Sequence, residues 1–293
     1  MPNHISVTLT LLLVILAITV PDAMTPAASD ATQSWGSVPG NATPVAARGV
    51  TINVMAAASL AEPFVELEHI FEATHPVVNV ELGLAGSHQL AYQLASGAPA
   101  DVFASANKKY IDTAIEGDRV GQDDPRVFVK NRLTVIVPAT NPGGLRELQD
   151  LAIPGIKLVL AAREAPVGQY SLDFLANASQ YSVFGTGFAD AVLRNVVSYE
   201  HNVKAVVAKI MLGEADAGIV YVSDAAGRNA QGVIQIAIPE ALNVVADYQI
   251  AVVKDSPHPE LAQAWVDMVL SPIGQHILAK YGYIPVVPRQ PGD

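Results

Sequence analysis

Cysteine is absent from all 293 residues. That excludes disulfides, thiolate metal sites, a cysteine nucleophile and the lipid-anchored form of bacterial export, which needs a cysteine. Charge is scarce too. Charged residues make up 15% of the chain against 51% hydrophobic, and the balance is acidic, with a formal net charge of -11. No run of Lys and Arg interrupts that balance, so no nucleic-acid partner is expected, because phosphate binding needs clustered cations. Catalytic and metal motifs are missing as well. There is no G-x-x-x-x-G-K-[ST] loop, no G-x-S-x-G elbow, and no H-E-x-x-H or H-x-x-x-H pair. Nucleotide hydrolysis and a zinc site therefore have no sequence basis, and no metal-cation ligands are expected.

What is present begins with an apolar run, "ISVTLTLLLVILAITV", Ile5 to Val20, which breaks at Pro21. It is long for the apolar part of an export signal and short for a membrane span of about 20 residues. Residues 1–23 read as a signal peptide or an uncleaved anchor. Residues 24–48, rich in Ala, Pro, Thr, Ser and Gly without apolar period, read as a disordered linker. Folded structure is expected from about Gly49.

From there strands and helices alternate. "GVTINVMAAA" reads as a buried strand, and Leu60, Phe64, Leu67, Ile70 and Phe71 give the next segment helical period to Thr74. Ser59 and Glu62 fit the S-x-x-E capping pattern. "VVNVELGLAG", a helix His88 to Ser96, "ADVFASA", a helix from Lys108 and "RLTVIVP" continue a βαβαβαβ order, which predicts a mostly parallel sheet. A second α/β set follows: strand "IKLVLAA", helix "VGQYSLDFLANA", helix "NVKAVVAKIMLG" and strand "ADAGIVYVSDA", then strand "VADYQIAVVK" and helix "PELAQAWVDMVLS". The fold class is α/β in two lobes.

Four places share one design, in which a small or polar residue precedes a helix start: Ser59, Ser87, "APVG" (Ala165 to Gly168) and Asn202. The first turn of a helix has free N–H groups and partial positive charge, and binds anions without Lys or Arg. In parallel α/β sheets such ends gather at the carboxyl edge of the strands. Each taken singly is also explained by plain N-capping. Tyr221 ends an apolar strand and reads either as a core tyrosine or as a pocket donor. Asp101 reads as structural. Ser59 or Ser87 as a hydrolase nucleophile is the alternative from another class.

"AAASL", "GAPADVFASAN", "GIVYVSDA" and "YGY" together resemble the periplasmic molybdate-binding proteins of ABC importers, from about Val50 to Ile284. The resemblance implies the type II periplasmic-binding-protein fold, with two crossing hinge strands in "RLTVIVP" and "YQIAVVK". Lobe one would be 50–131 plus 250–293, and lobe two 132–249. It implies no enzyme and no cofactor, but a monomeric, exported receptor that binds molybdate or tungstate and delivers it to a membrane permease; a sulfate receptor is the nearest rival. Matched motif by motif, the oxyanion would be held by the hydroxyls of Ser59, Ser87 and Tyr221 and the backbone amides of Val167 and Val203. Two residues depart from the family pattern: His88 follows Ser87 where small hydroxyl residues are common, and Val167 stands where Ala is common.

Overall fold

The computed structural model describes residues 49–227 and 231–286; the expected export segment, 1–23, and linker, 24–48, lie outside the described residues. The described chain opens with three parallel strands, β1 (Val50–Ala57), β2 (Val78–Ala85) and β3 (Val102–Ser105), with β1 in the middle. Each leads into a helix: α1 (Ala61–Thr74), α2 (Ser87–Ala95) and α3 (Lys108–Glu116). All four residues of β3 are buried, as expected of a parallel strand with both faces covered.

The long strand β4 (Arg126–Pro138) comes next. After it come β5 (Leu158–Ala161), α4 (Pro166–Ala178), α5 (Phe188–Arg194), β6 (Val196–Glu200), α6 (Val203–Met211) and β7 (Ala217–Tyr221). The chain then forms β8 (Val233–Ala237), β9 (Val245–Val252), α7 (Pro259–Leu270), α8 (Pro272–Lys280) and the short β10 (Ile284–Pro285). The strand order is β2-β1-β3-β9-β4-β7-β5-β6, with β8 and β10 also pairing to β4.

The sheet is more mixed than the sequence pattern predicts. β4 does not continue the parallel set. Instead β9 lies between β3 and β4 and pairs antiparallel with both. A return strand from the far end of the chain thus takes the place that local alternation assigns to the fourth strand. β4 is also longer than "RLTVIVP". Its first part, Arg126 to Arg132, pairs with β9, and its second, Leu133 to Pro138, with β7 and β8. The chain comes back beside this changeover at Asn243, whose side chain accepts from Leu133 N (2.9 Å) and donates to Leu133 O (2.9 Å) and Ile238 O (3.2 Å). β6, β8, α5, α8 and β10 had no assignment from periodicity; β8, with a burial pattern of one buried and four part-exposed or exposed residues, gives only a weak apolar signal.

The core is fastened by aromatic rings. On α1, Phe64, Leu67 and Phe71 face inward at spacings of three and four. Trp265 of α7 meets Phe64 edge-on at 5.6 Å and Phe71 at 5.5 Å, and Phe64 meets Phe128 of β4 at 6.2 Å. Asp101 is structural, as expected: its carboxylate accepts from Asn53 N at 2.7 Å and from the Ser256 hydroxyl, tying β1 to the segment after β9.

Gly168, in the first turn of α4, lets that helix start press against the end of β5. A Cβ there would lie 2.0 Å from Ala162 O and 2.5 Å from Ala161 O, both backbone atoms that cannot swing away. Gly168→Ala should therefore cost about 3 kcal/mol or more and lower the melting temperature by about 6 °C or more. Gly187→Ala, where a Cβ meets nothing within 4 Å, is the control and should melt close to the parent. Equal melting of both variants in a calorimetric scan would contradict this packing.

Candidate functional site

All five residues singled out in the sequence line one cavity: Ser59, Ser87, Val167, Val203 and Tyr221. Its space is about 20 Å³, a little more than the roughly 10–15 Å³ that one water requires. A compact ion fits such a space; a sugar, an amino acid or a peptide does not. Apart from these five, the walls are Ala57, Ala58, Gly86, Ala106, Ala165, Pro166 and Asn202, so no charged side chain lines the cavity.

The cavity sits where strands end and helices begin. β1 runs into a short 3-10 turn, Ala58–Leu60, that carries Ser59 and leads into α1. β2 leads to α2, with Gly86 as N-cap and Ser87 as first helical residue. The starts of α4 and α6 supply Val167 and Val203. The N-caps of α1, α2 and α4 make no side-chain capping bond. Of the four helices that start at the cavity only α6 is capped, by Asn202 accepting from Ala205 N at 3.1 Å. Uncapped first turns keep N–H donors and partial positive charge available to whatever occupies the cavity.

Ser59 departs from its expected role as a cap. The 3-10 turn carries the chain past the cap geometry, and the Ser59 hydroxyl instead pairs with the Tyr248 hydroxyl at 2.9 Å, in a buried setting. Ser87 likewise does not cap: its Oγ accepts from Ala106 N at 3.0 Å. With that lone pair engaged, its one proton is free to be donated into the cavity. The Tyr221 hydroxyl is buried and makes no hydrogen bond to any described residue. Burial holds the Tyr221 phenol well above its ordinary pKa, so it stays a donor. Among the described residues neither serine has a histidine or lysine as hydrogen-bond partner, so none supplies the adjacent base that nucleophilic catalysis needs.

Beneath Tyr221 lies Asp224, fully buried, accepting from Tyr221 N at 3.3 Å and paired with Lys204 at 3.1 Å. Burial raises its pKa, against the opposing pull of Lys204. Asp224 belongs to the quoted "GIVYVSDA", but its role in holding the end of β7 is not readable from sequence. Tyr248 was missed altogether, since a tyrosine in an apolar strand carries no signal of the hydroxyl it will meet. Among the described residues no group of three His, Asp or Glu side chains could hold a metal ion, and no helix is long and apolar enough to cross a membrane.

Residues 52–284 match the family described as bacterial extracellular solute-binding protein. The molybdate-binding protein ModA of Mycobacterium tuberculosis strain H37Rv is 38% identical over 233 residues, covering 80% of this chain and 84% of that one. The periplasmic molybdate-binding protein of Azotobacter vinelandii has a TM-score of 0.69 at 18% identity, over 81% of this chain and 100% of that one. The sulfate-binding protein SubI of M. tuberculosis H37Rv has a TM-score of 0.73 at 20% identity, over 82% and 88%. At such identities the two structures establish the fold alone: the two-lobed type II periplasmic-binding-protein fold.

His88 is close to the cavity without lining it. Its ring fills the space above Gly86, where a Cβ would fall 2.6 Å from the ring and 3.0 Å from His201 O. A side chain there would have to displace the His88 ring. The ring also lies 6.0 Å from that of Tyr110, whose hydroxyl donates to Glu164 O just before α4. His88 Nδ1 is buried without a hydrogen-bond partner. Burial lowers the pKa of His88, Glu164 opposes that, and His201 adds to it. The unfolded chain therefore takes up this proton at a higher pH than the folded one. The linked stability is complete above the ordinary histidine pKa of about 6.5 and is lost as pH falls through the lower folded value. His88→Gln should lose less stability than the parent between pH 7.5 and 5, in urea midpoints measured at both. Parallel losses would remove His88 from the acid response.

Proposed function

The chain belongs to the bacterial extracellular solute-binding protein family, and on that premise we propose that it is the receptor that binds molybdate or tungstate and delivers it to an ABC transporter. It is a binding protein, not an enzyme. The observation that carries the specific reading is the cavity itself: small, buried, without charged walls, and ringed by donors. A fully ionised tetrahedral oxyanion offers only acceptors. The helix-start amides are donors only, and each of the three hydroxyls has a proton it can donate; bonds of this kind to a charged oxygen are about twice as strong as neutral ones. Phosphate keeps a proton at neutral pH, and its P–OH would need an acceptor at the contact. Sulfate is acceptor-only but smaller, and so remains the second arm of any test.

The proposed ligands are Ser59, Ser87 and Tyr221 through their hydroxyls, and Val167 and Val203 through their backbone N–H groups. They come from two proposed lobes, 50–131 with 250–293 and 132–249. Only the closed arrangement of those lobes has every donor in place, so the ion favours closure. The 38% identity to a molybdate-binding relative supports the choice of ion. A monomeric state, an extracytoplasmic location and a membrane permease as partner complete the proposal.

Molybdate and tungstate should each raise the melting temperature, by mass action on the folded state, while phosphate leaves it unchanged. Sulfate stabilising more than molybdate would transfer the assignment to sulfate. By titration calorimetry Ser59→Ala and Tyr221→Phe should each weaken molybdate binding about tenfold to a hundredfold, the value of a hydrogen bond to a charged group. Ser96→Ala, at the opposite end of α2, should bind as the parent does. Parent-like binding by both site variants would remove Ser59 and Tyr221 from the site.

A further inference from the structure

The bond between Ser59 and Tyr248 has a direction, and that direction sets what Ser59 offers the cavity. A serine hydroxyl has one proton and two lone pairs. If Ser59 donates to Tyr248, it turns lone pairs toward the cavity and repels an anion. If Tyr248 donates, the Ser59 proton is free to face inward. The contact is 2.9 Å and buried, so one of these arrangements must hold without help from bulk water.

Three features favour donation by Tyr248. A phenol is a stronger acid than an aliphatic alcohol, so it is the better donor of the pair and serine the better acceptor. The Tyr248 ring is fixed edge-on by Phe128 at 6.3 Å, Tyr221 at 5.7 Å and Tyr283 at 5.5 Å, so its hydroxyl cannot swing away. Behind it stands Tyr283, from the "YGY" sequence at 281–283, with its ring edge-on to Tyr248 and its buried hydroxyl without a hydrogen-bond partner among the described residues. It can supply the proton that the Tyr248 oxygen accepts. Gly282 between the two tyrosines has φ +83°, a turn that brings Tyr283 inward.

We propose that Tyr248 is a positioning residue for the anion: its hydroxyl donates to Ser59 Oγ and turns the Ser59 proton into the cavity, with Tyr283 behind it setting the direction. This rests on the oxyanion-receptor reading. The relay runs from Tyr248 to Ser59 to the ion, and the unpaired Tyr283 hydroxyl behind it is the group that can turn to donate to the Tyr248 oxygen. Ser87 reaches the same polarity by a different route, since Ala106 N occupies its acceptor. Both serines are thus held as donors. The relay would also bear on selectivity: a Ser59 freed from Tyr248 can rotate to accept, and can then tolerate a protonated oxyanion such as hydrogen phosphate.

The test is a double-mutant cycle by titration calorimetry with sodium molybdate and sodium phosphate. Tyr248→Phe should weaken molybdate binding about three- to thirtyfold, in keeping with a lost buried hydrogen bond. In a Ser59→Ala background the same change should cost less than about twofold, because nothing remains to be oriented. The preference for molybdate over phosphate should narrow in Tyr248→Phe alone. An equal loss in both backgrounds would reveal a merely structural role for Tyr248 and overturn the proposal, as would no loss in either. If Tyr248→Phe does not fold, Tyr283→Phe takes its place in the cycle, with a smaller loss that should likewise vanish in the Ser59→Ala background. A parent that binds no molybdate would overturn the receptor reading and this proposal together; a parent that binds with an additive cycle would overturn this proposal alone.

Discussion

A buried anion must be surrounded by donors whose own acceptors are already engaged, because any lone pair facing it is repulsive and any bare charge must be desolvated first. On the proposed reading that constraint organises the cavity lined by Ser59, Ser87, Val167, Val203 and Tyr221. The fold answers it with backbone rather than with cations. Strand ends deliver helix starts, three of those starts lack side-chain caps, and small residues let the first turns approach closely. Gly86 and Gly168 show how tight that approach is, since each would drive a Cβ into neighbouring atoms. The acidic net charge of the chain is compatible with this, because screened charges at a distance act less than oriented dipoles at contact.

The same strand ends need a rigid base, and the mixed sheet supplies it. β9 wedges between β3 and β4, so the cavity residue Tyr221 on β7 and the serines after β1 and β2 are referred to one continuous set of strands. Tyr248 on β9 joins them most directly, with Ser59 at its hydroxyl and Tyr221 against its ring. Asp224 and Lys204 hold the end of β7 from beneath, through Tyr221 N.

Much of this was legible in the sequence. The alternation of apolar runs and helical periods located β1 to β3, β5, β7, β9 and most of the helices to within a few residues, because those segments have one buried side and local periodicity carries that information. Small or polar residues before helices pointed to Ser59, Ser87, the turn Ala165 to Gly168 and Asn202 as neighbours, and the family resemblance narrowed the last two to the amides of Val167 and Val203. The failures that shape the site were mostly long-range. Nothing near Tyr248 in sequence announces a partner 189 residues away. Nothing in "RLTVIVP" announces that β9 will lie between it and β3. The capping pattern at Ser59 and Glu62 was a local signal overruled by a 3-10 turn, and the hydroxyl so released found Tyr248 instead.

The ring contacts of the core have an optical consequence. Trp265 touches Phe64, Phe64 touches Phe128, Phe128 touches Tyr248, and Tyr248 touches both Tyr221 and Tyr283. This is an unbroken file of aromatic side chains from the edge of the cavity to a buried indole. Excitation absorbed by the tyrosines at the cavity end passes to that indole by through-space dipole coupling, because its excited state lies below that of tyrosine; the intervening phenylalanines fix the spacing and do not carry the energy. A change in the surroundings of Tyr221 would therefore be felt at Trp265, a residue remote from the cavity, whose emission adds to that of the chain's other tryptophan, Trp35.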